Sequence, residues 1–138
     1  MKVVLPPDYR PSDTEEFMNP LQLEYFRQKL LDWRTQLIQE SEGTLSNLQQ
    51  ESLVEADWTD RASAETDVAL ELRTRDRARK LIVKIEEALA RVENGSYGYC
   101  EDTDEPIGLR RLEARPIATL SLEAQERHER MERSHRND

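Results

Sequence analysis

A mainly α protein is predicted: a long antiparallel coiled-coil hairpin, a small globular base and a C-terminal helix. Two stretches of about 34 residues carry apolar side chains in alternating threes and fours, and only a short segment joins them. Hydrophobic residues make up 36% of the chain and charged residues an equal 36%, too polar a mix for one compact ball. The 138 residues leave room for a small domain plus an extended element, and an elongated molecule is expected. The expected division is an N-terminal arm at 1–18, the hairpin at 19–95 with its tip at 55–62, and the base with its closing helix at 96–138.

The elements follow in order. Residues 1–14 hold Pro6, Pro7 and Pro11 and no periodicity, which predicts an irregular arm, with disorder the plainer alternative. Asn19 offers a side-chain cap and Pro20 suits the first helical position, where its missing N–H is not needed. The first helix then places Leu23, Phe26, Leu30, Trp33 and Leu37 on one stripe, which resumes out of phase at Leu45 and Leu48 near Gly43. A second helix, starting just after Asp60, carries Ala64, Val68, Leu72, Arg75, Ala78, Ile82, Ile85, Leu89 and Val92 and stops at Asn94-Gly95. Each would extend roughly 50 Å at about 1.5 Å per residue. Residues 96–120 show only turn signals at Pro106, Gly108 and Pro116, with Tyr97, Tyr99, Ile107, Leu109, Leu112 and Leu120 as candidate core, and Ser121 caps a closing helix to about Arg136.

Charge and cysteine usage narrow the function. A net charge of −9 argues against a general nucleic-acid binder, whose affinity comes from Lys and Arg displacing counterions, so the direct partner is expected to be protein and not DNA. A single cysteine rules out an internal disulfide, and no long apolar run or signal-like start is present. A cytoplasmic protein without a membrane partner is expected.

Three constellations stand out. Cys100, Thr103, Ser121 and Ala124 fall at the x2, x17, x2 spacing of a four-cysteine zinc module, yet only the first can ligate zinc. His128 and His135, seven apart, complete no shell with one thiol, so zinc is not expected, the base is expected metal-free, and Cys100 reads as a small core residue. At the tip, Asp57 and Asp60 read first as helix caps; the same carboxylates at the end of a long rod also suit delivery of negative charge to a Mg²⁺ site in a partner's cleft. Between residues 71 and 84, Arg73, Arg75, Arg77, Arg79, Lys80 and Lys84 face only Glu71 and Asp76, a local +4. Such a run suits a solvated face paired to acidic neighbours, or docking of acidic and phosphate groups.

The segments Gly98-Tyr99-Cys100, Ile107 to Pro116, Glu16-Phe17-Met18-Asn19, Asp57-Trp58-Thr59-Asp60-Arg61-Ala62 and Leu70 to Arg77 together resemble the DksA/TraR family of bacterial RNA polymerase regulators, over roughly residues 15–130. The resemblance implies a monomeric transcription regulator with no catalytic residues of its own, whose coiled coil enters the polymerase secondary channel. It implies Asp57, Asp60 and Ala62 as the functional tip, although Trp58 differs in bulk from the family pattern. It also implies a ppGpp site shared with the polymerase rim, at Arg77, Leu81, Lys84 and Arg115; a fourth position, basic in the better-known pattern, is Gln125. Two other classes stay open: a Gre-type transcript-cleavage factor, separable by a cleavage assay, and a plain coiled-coil adaptor, separable by self-association.

Overall fold

Helix α1 (Pro20–Val54) begins where the side-chain chemistry sets it. Asn19 Oδ1 accepts the backbone N–H groups of Leu21 at 2.9 Å and Gln22 at 3.0 Å, two donors that have no partner inside the helix. Helix α2 (Arg61–Asn94) ends as Gly95 turns to φ 83°, and the N–H groups of Ser96 and Tyr97 both return to the Arg91 carbonyl, at 3.0 and 3.2 Å. Two shorter helices follow, α3 (Leu109–Ala114) and α4 (Leu122–Arg136). The latter is capped by Ser121, whose Oγ accepts the Ala124 N–H at 3.2 Å. These come from a computed structural model, which describes residues 3–54 and 61–136, with side chains over 3–43 and 65–135.

The expected class holds: a mainly α chain in which two long helices form an antiparallel hairpin, followed by a small base and a C-terminal helix. Among the described residues there is no strand, only an isolated bridge between Tyr99 and Pro106. Helix α3 was not legible in the sequence, because six residues give no periodic signal.

The chain forms two compact units, residues 31–86 and residues 1–30 with 87–138. In the first of these, Leu37, Ala78 and Ile85 are buried, and Trp33, Val68 and Ile82 half-buried, as the stripes require. Leu72 departs from the reading: it is 49% exposed, and Glu71 occupies the inward position instead, its Oε2 buried and without a hydrogen-bond partner among the described residues. Stepping back from Ala78 by three and then four gives Arg75 and Glu71, so the helix geometry selects a polar side chain over its apolar neighbour. This stretch of α2 is therefore weakly apolar on its inner face. Leu45, Leu48 and Ala64 lie outside the residues whose side chains are described.

In the other unit, Phe26, Leu30, Tyr97, Cys100, Leu112 and Ala124 are almost wholly buried, joined by Ile117 and Ala118. Tyr99 and Leu120, expected in this core, are only partly covered. The arm is irregular but not free. Gln22, fully buried, accepts the Met18 N–H at 2.8 Å and donates from Nε2 to the Ser12 carbonyl at 3.3 Å. Tyr9 donates to Glu15 at 3.1 Å, and its ring meets Tyr25 edge-on at 6.3 Å. One buried amide thus satisfies two backbone groups of a segment with no secondary structure, which is what holds it down.

Gly98 has φ 92°, and a Cβ there would lie 2.9 Å from Met18 Cγ. Gly95 is also at positive φ but has open space around it. Gly95→Ala should cost about 1 kcal/mol through backbone strain alone, and Gly98→Ala more, about 2 kcal/mol, because Met18 must also move. Urea unfolding of the two variants should show that order; equal losses would mean the Met18 contact is slack.

Candidate functional site

Three regions carry the candidate residues. Asp57 and Asp60 lie outside the described residues, and Ala62, although on α2, outside those with described side chains.

On α2, Arg77, Leu81 and Lys84 fall at i, i+4 and i+7, one face of the helix. Arg77 and Lys84 are exposed and Leu81 half-buried, an apolar patch between two cations. Arg73 extends the row by one turn and is also exposed. Lys80 pairs with Asp76 at 3.2 Å, an i, i+4 pair in which both side chains are mostly exposed. No ion pair among the described residues engages Arg73, Arg77, Arg79 or Lys84. The reading of a solvated face stabilised by its own acids accounts for Lys80 and not for these.

The knuckle positions converge in the base. Tyr99 to Pro106 forms a tight loop in which the Cys100 N–H donates to the Glu105 carbonyl and the Asp104 N–H to the Cys100 carbonyl, both at 2.8 Å. Cys100 is 1% exposed. Burial pushes its thiol pKa up, but the Ser121 N–H, the Thr103 hydroxyl and N–H, and the Asp102 N–H oppose this and lower it to about 6. Thr103 and Ser121 thus stand where the spacing puts them, and point hydrogen bonds at the sulfur. Ala124 is fully buried beside them in sequence order on α4. His128 Nε2 lies 2.6 Å from Asp102 Oδ2, tying α4 to the knuckle loop; twenty-six residues of separation hid that contact from the sequence.

Arg115 sits just past α3. Its N–H bonds the Arg111 carbonyl at 2.7 Å and its carbonyl accepts from Ala118 at 3.0 Å, while the side chain is exposed. Pro116, next in the chain, accepts the Tyr97 hydroxyl at 2.7 Å, and burial raises the Tyr97 pKa so that it stays a phenol donor. Glu113, on the last turn of α3, takes Lys29 Nζ at 2.7 Å and the Tyr25 hydroxyl at 3.1 Å. Gln125, on α4, is half-buried and donates to Glu129 at 3.3 Å.

Comparisons with known proteins bear on each region. The family model "DnaK suppressor protein DksA, N-terminal domain" matches residues 22–92, and "Prokaryotic dksA/traR C4-type zinc finger" matches residues 95–130. The chain is 69% identical over 131 residues to the RNA polymerase-binding transcription factor DksA of Caulobacter vibrioides, covering 95% of this chain and 92% of that one. It is 48% identical over 115 residues to the protein of that name from Escherichia coli K12, covering 83% and 76%. The structure of transcription factor DksA2 from Pseudomonas aeruginosa superposes with a TM-score of 0.81 at 43% identity, covering 90% and 94%.

The zinc-finger match corrects the expectation that zinc is not called for: the matched module belongs to a C4-type family, and the family is one of zinc binding. That expectation counted ligands at four positions, whereas the module is recognisable along its whole length. The donors present do not themselves fit a four-thiolate shell, being one thiol, two hydroxyl oxygens and a methyl group. Among the described residues no group of three or more His, Cys, Asp or Glu could hold a metal ion. No helix among them is long and apolar enough to cross a membrane. From the hairpin through the base to α4, in sequence and in structure, the chain belongs to the DksA family.

Proposed function

We propose that the chain regulates transcription by binding RNA polymerase through its secondary channel, with the hairpin tip near the active site and ppGpp as co-effector. The observation that carries this is the row Arg73, Arg77 and Lys84 on a protein of net charge −9, cations with no ion pair among the described residues. Uncompensated cations on an acidic chain are poor devices for stability and good ones for an acidic partner. The relatives reported above are named as RNA polymerase-binding transcription factors.

On this reading the arm at 1–18, the hairpin at 19–95 and the region 96–138 are the working parts. The hairpin presents Asp57, Asp60 and Ala62 at its tip, where carboxylates act on the field around the polymerase's own metal and perform no chemistry themselves. Arg77 belongs to the rim contact, and Leu81, Lys84 and Arg115 to the alarmone site. Gln125 replaces a cation opposite a polyanionic ligand and weakens the response. The chain acts in the cytoplasm as a monomer, contacts polymerase directly and leaves DNA to it.

Asp57→Asn with Asp60→Asn removes charge while keeping shape, at a capping cost of at most roughly 1 kcal/mol. The double variant should compete with wild type for core polymerase yet leave a responsive promoter unchanged. Normal regulation by it would reduce both aspartates to caps, and loss of binding would put the docking energy at the tip. Transcript cleavage on backtracked complexes by the wild-type chain would instead mark a cleavage factor.

Lys84→Ala and Arg115→Ala should each abolish ppGpp synergy in transcription with purified polymerase and retain much of the alarmone-free effect, since each contact exists only when ligand is bound. Gln125→Lys should strengthen the response. A Lys84→Ala chain responding to ppGpp as wild type does would remove Lys84 from the site.

A further inference from the structure

Arg115 combines a free side chain with a fixed backbone. Its guanidinium is exposed and meets no hydrogen bond or ion pair among the described residues, while the backbone around it is fixed at every step. The Arg115 N–H and carbonyl are both bonded, the Pro116 carbonyl takes the Tyr97 hydroxyl, and Pro116, Ile117 and Ala118 are buried. A free cation on an immobile backbone is arranged for an external anion.

What aims it is less obvious, because α3 cannot. The helix has six residues, begins at Gly108 with no side-chain cap, and is too short to hold a direction by itself. Its last turn is tied from outside at Glu113. The Lys29 amine reaches the Glu113 carboxylate at 2.7 Å and the Glu113 carbonyl at 3.1 Å, gripping side chain and backbone of one residue together. The Tyr25 hydroxyl adds a bond to the same carboxylate oxygen at 3.1 Å. Tyr25 and Lys29 are one turn apart on α1, so a long helix lends its rigidity to a short one. The Lys29 and Glu113 side chains are 36% and 38% exposed, and an ion pair that wet contributes little to stability. Its double grip instead restricts orientation.

We propose that Glu113, held by Lys29 and Tyr25, is a positioning residue for Arg115 and sets the affinity of the base for the pyrophosphate groups of the alarmone. The proposal rests on the reading of Arg115 as an alarmone contact. Glu113 touches no ligand on this account; it acts through the direction of α3 and the residue two positions on.

The test is a ppGpp titration of transcription by purified RNA polymerase with the full chain at a responsive promoter, reading the half-maximal concentration. Glu113→Gln and Lys29→Met should each raise it roughly tenfold, and Lys29→Arg, which can renew the pair, should stay near wild type. In an Arg115→Lys background, which keeps a response but replaces the fork with a point charge on a flexible stem, Glu113→Gln should add little; a merely structural role would add its own full loss. Lys29→Met leaves the Tyr25 bond in place and carries the same test should Glu113→Gln not fold. If Arg115→Ala loses the response while Glu113→Gln and Lys29→Met titrate as wild type, the positioning role is overturned and the alarmone reading stands. An additive loss in the double variant also overturns it. If Arg115→Ala itself titrates as wild type, both fall together.

Discussion

Tyr97 enters the core three residues after α2 ends, and it does so because Gly95 reverses the chain at φ 83° where a side chain would be strained. Once inside, its ring lies 5.7 Å from Phe26 of α1 and its hydroxyl donates to the Pro116 carbonyl. One residue therefore connects the start of the first long helix, the end of the second and the loop after α3. Full burial of a phenol demands such a partner, since an unsatisfied hydroxyl would cost about 1–3 kcal/mol. The Arg115 segment inherits its place from that bond.

The hairpin is stabilised on different terms. Its inner stripe includes Ala78, Arg75 and Glu71, so part of the interface buries polar stems and little hydrocarbon. Leu70 and Leu72, turned outward at 54% and 49% exposure, would have served packing better inside. An arrangement that leaves leucines and arginines on the outer face of one helix gives up stability for surface, which is the exchange expected of a binding helix.

The capping residues were legible because their chemistry is local: Asn19, Pro20, Gly95 and Ser121 act within four residues of where they stand. The stripe through Phe26, Leu30 and Leu37 was legible because period 3.6 leaves no choice there. At 71 and 72 it leaves two choices, and an apolar residue drew the reading to the wrong one. The order of the arm rests on Gln22, whose spacing from Ser12 carries no motif. The same holds for Asp102 with His128 and Lys29 with Glu113, contacts across 26 and 84 residues. Zinc was misjudged because a ligand count is a local argument about a module defined by its whole length.

The distribution of ion pairs bears most directly on function. Acidic residues outnumber basic ones 29 to 20 in this chain, yet Arg73, Arg77, Lys84 and Arg115 are left without ion pairs among the described residues. A cation already paired must break that pair, or carry it along, before it meets a partner's carboxylate or phosphate. One standing free loses only water, so its contact with the partner is realised more fully. The excess of acid elsewhere repels the phosphate backbone of nucleic acid and discourages unspecific binding there. Together these features suit the proposed reading, in which the partner is an acidic protein surface and a small polyanion held at defined points. The half-exposed Lys29–Glu113 pair differs from the Arg27–Glu24 and Lys80–Asp76 pairs, which lie within one helix: it joins α1 to α3, and what it restricts is the orientation of a short helix.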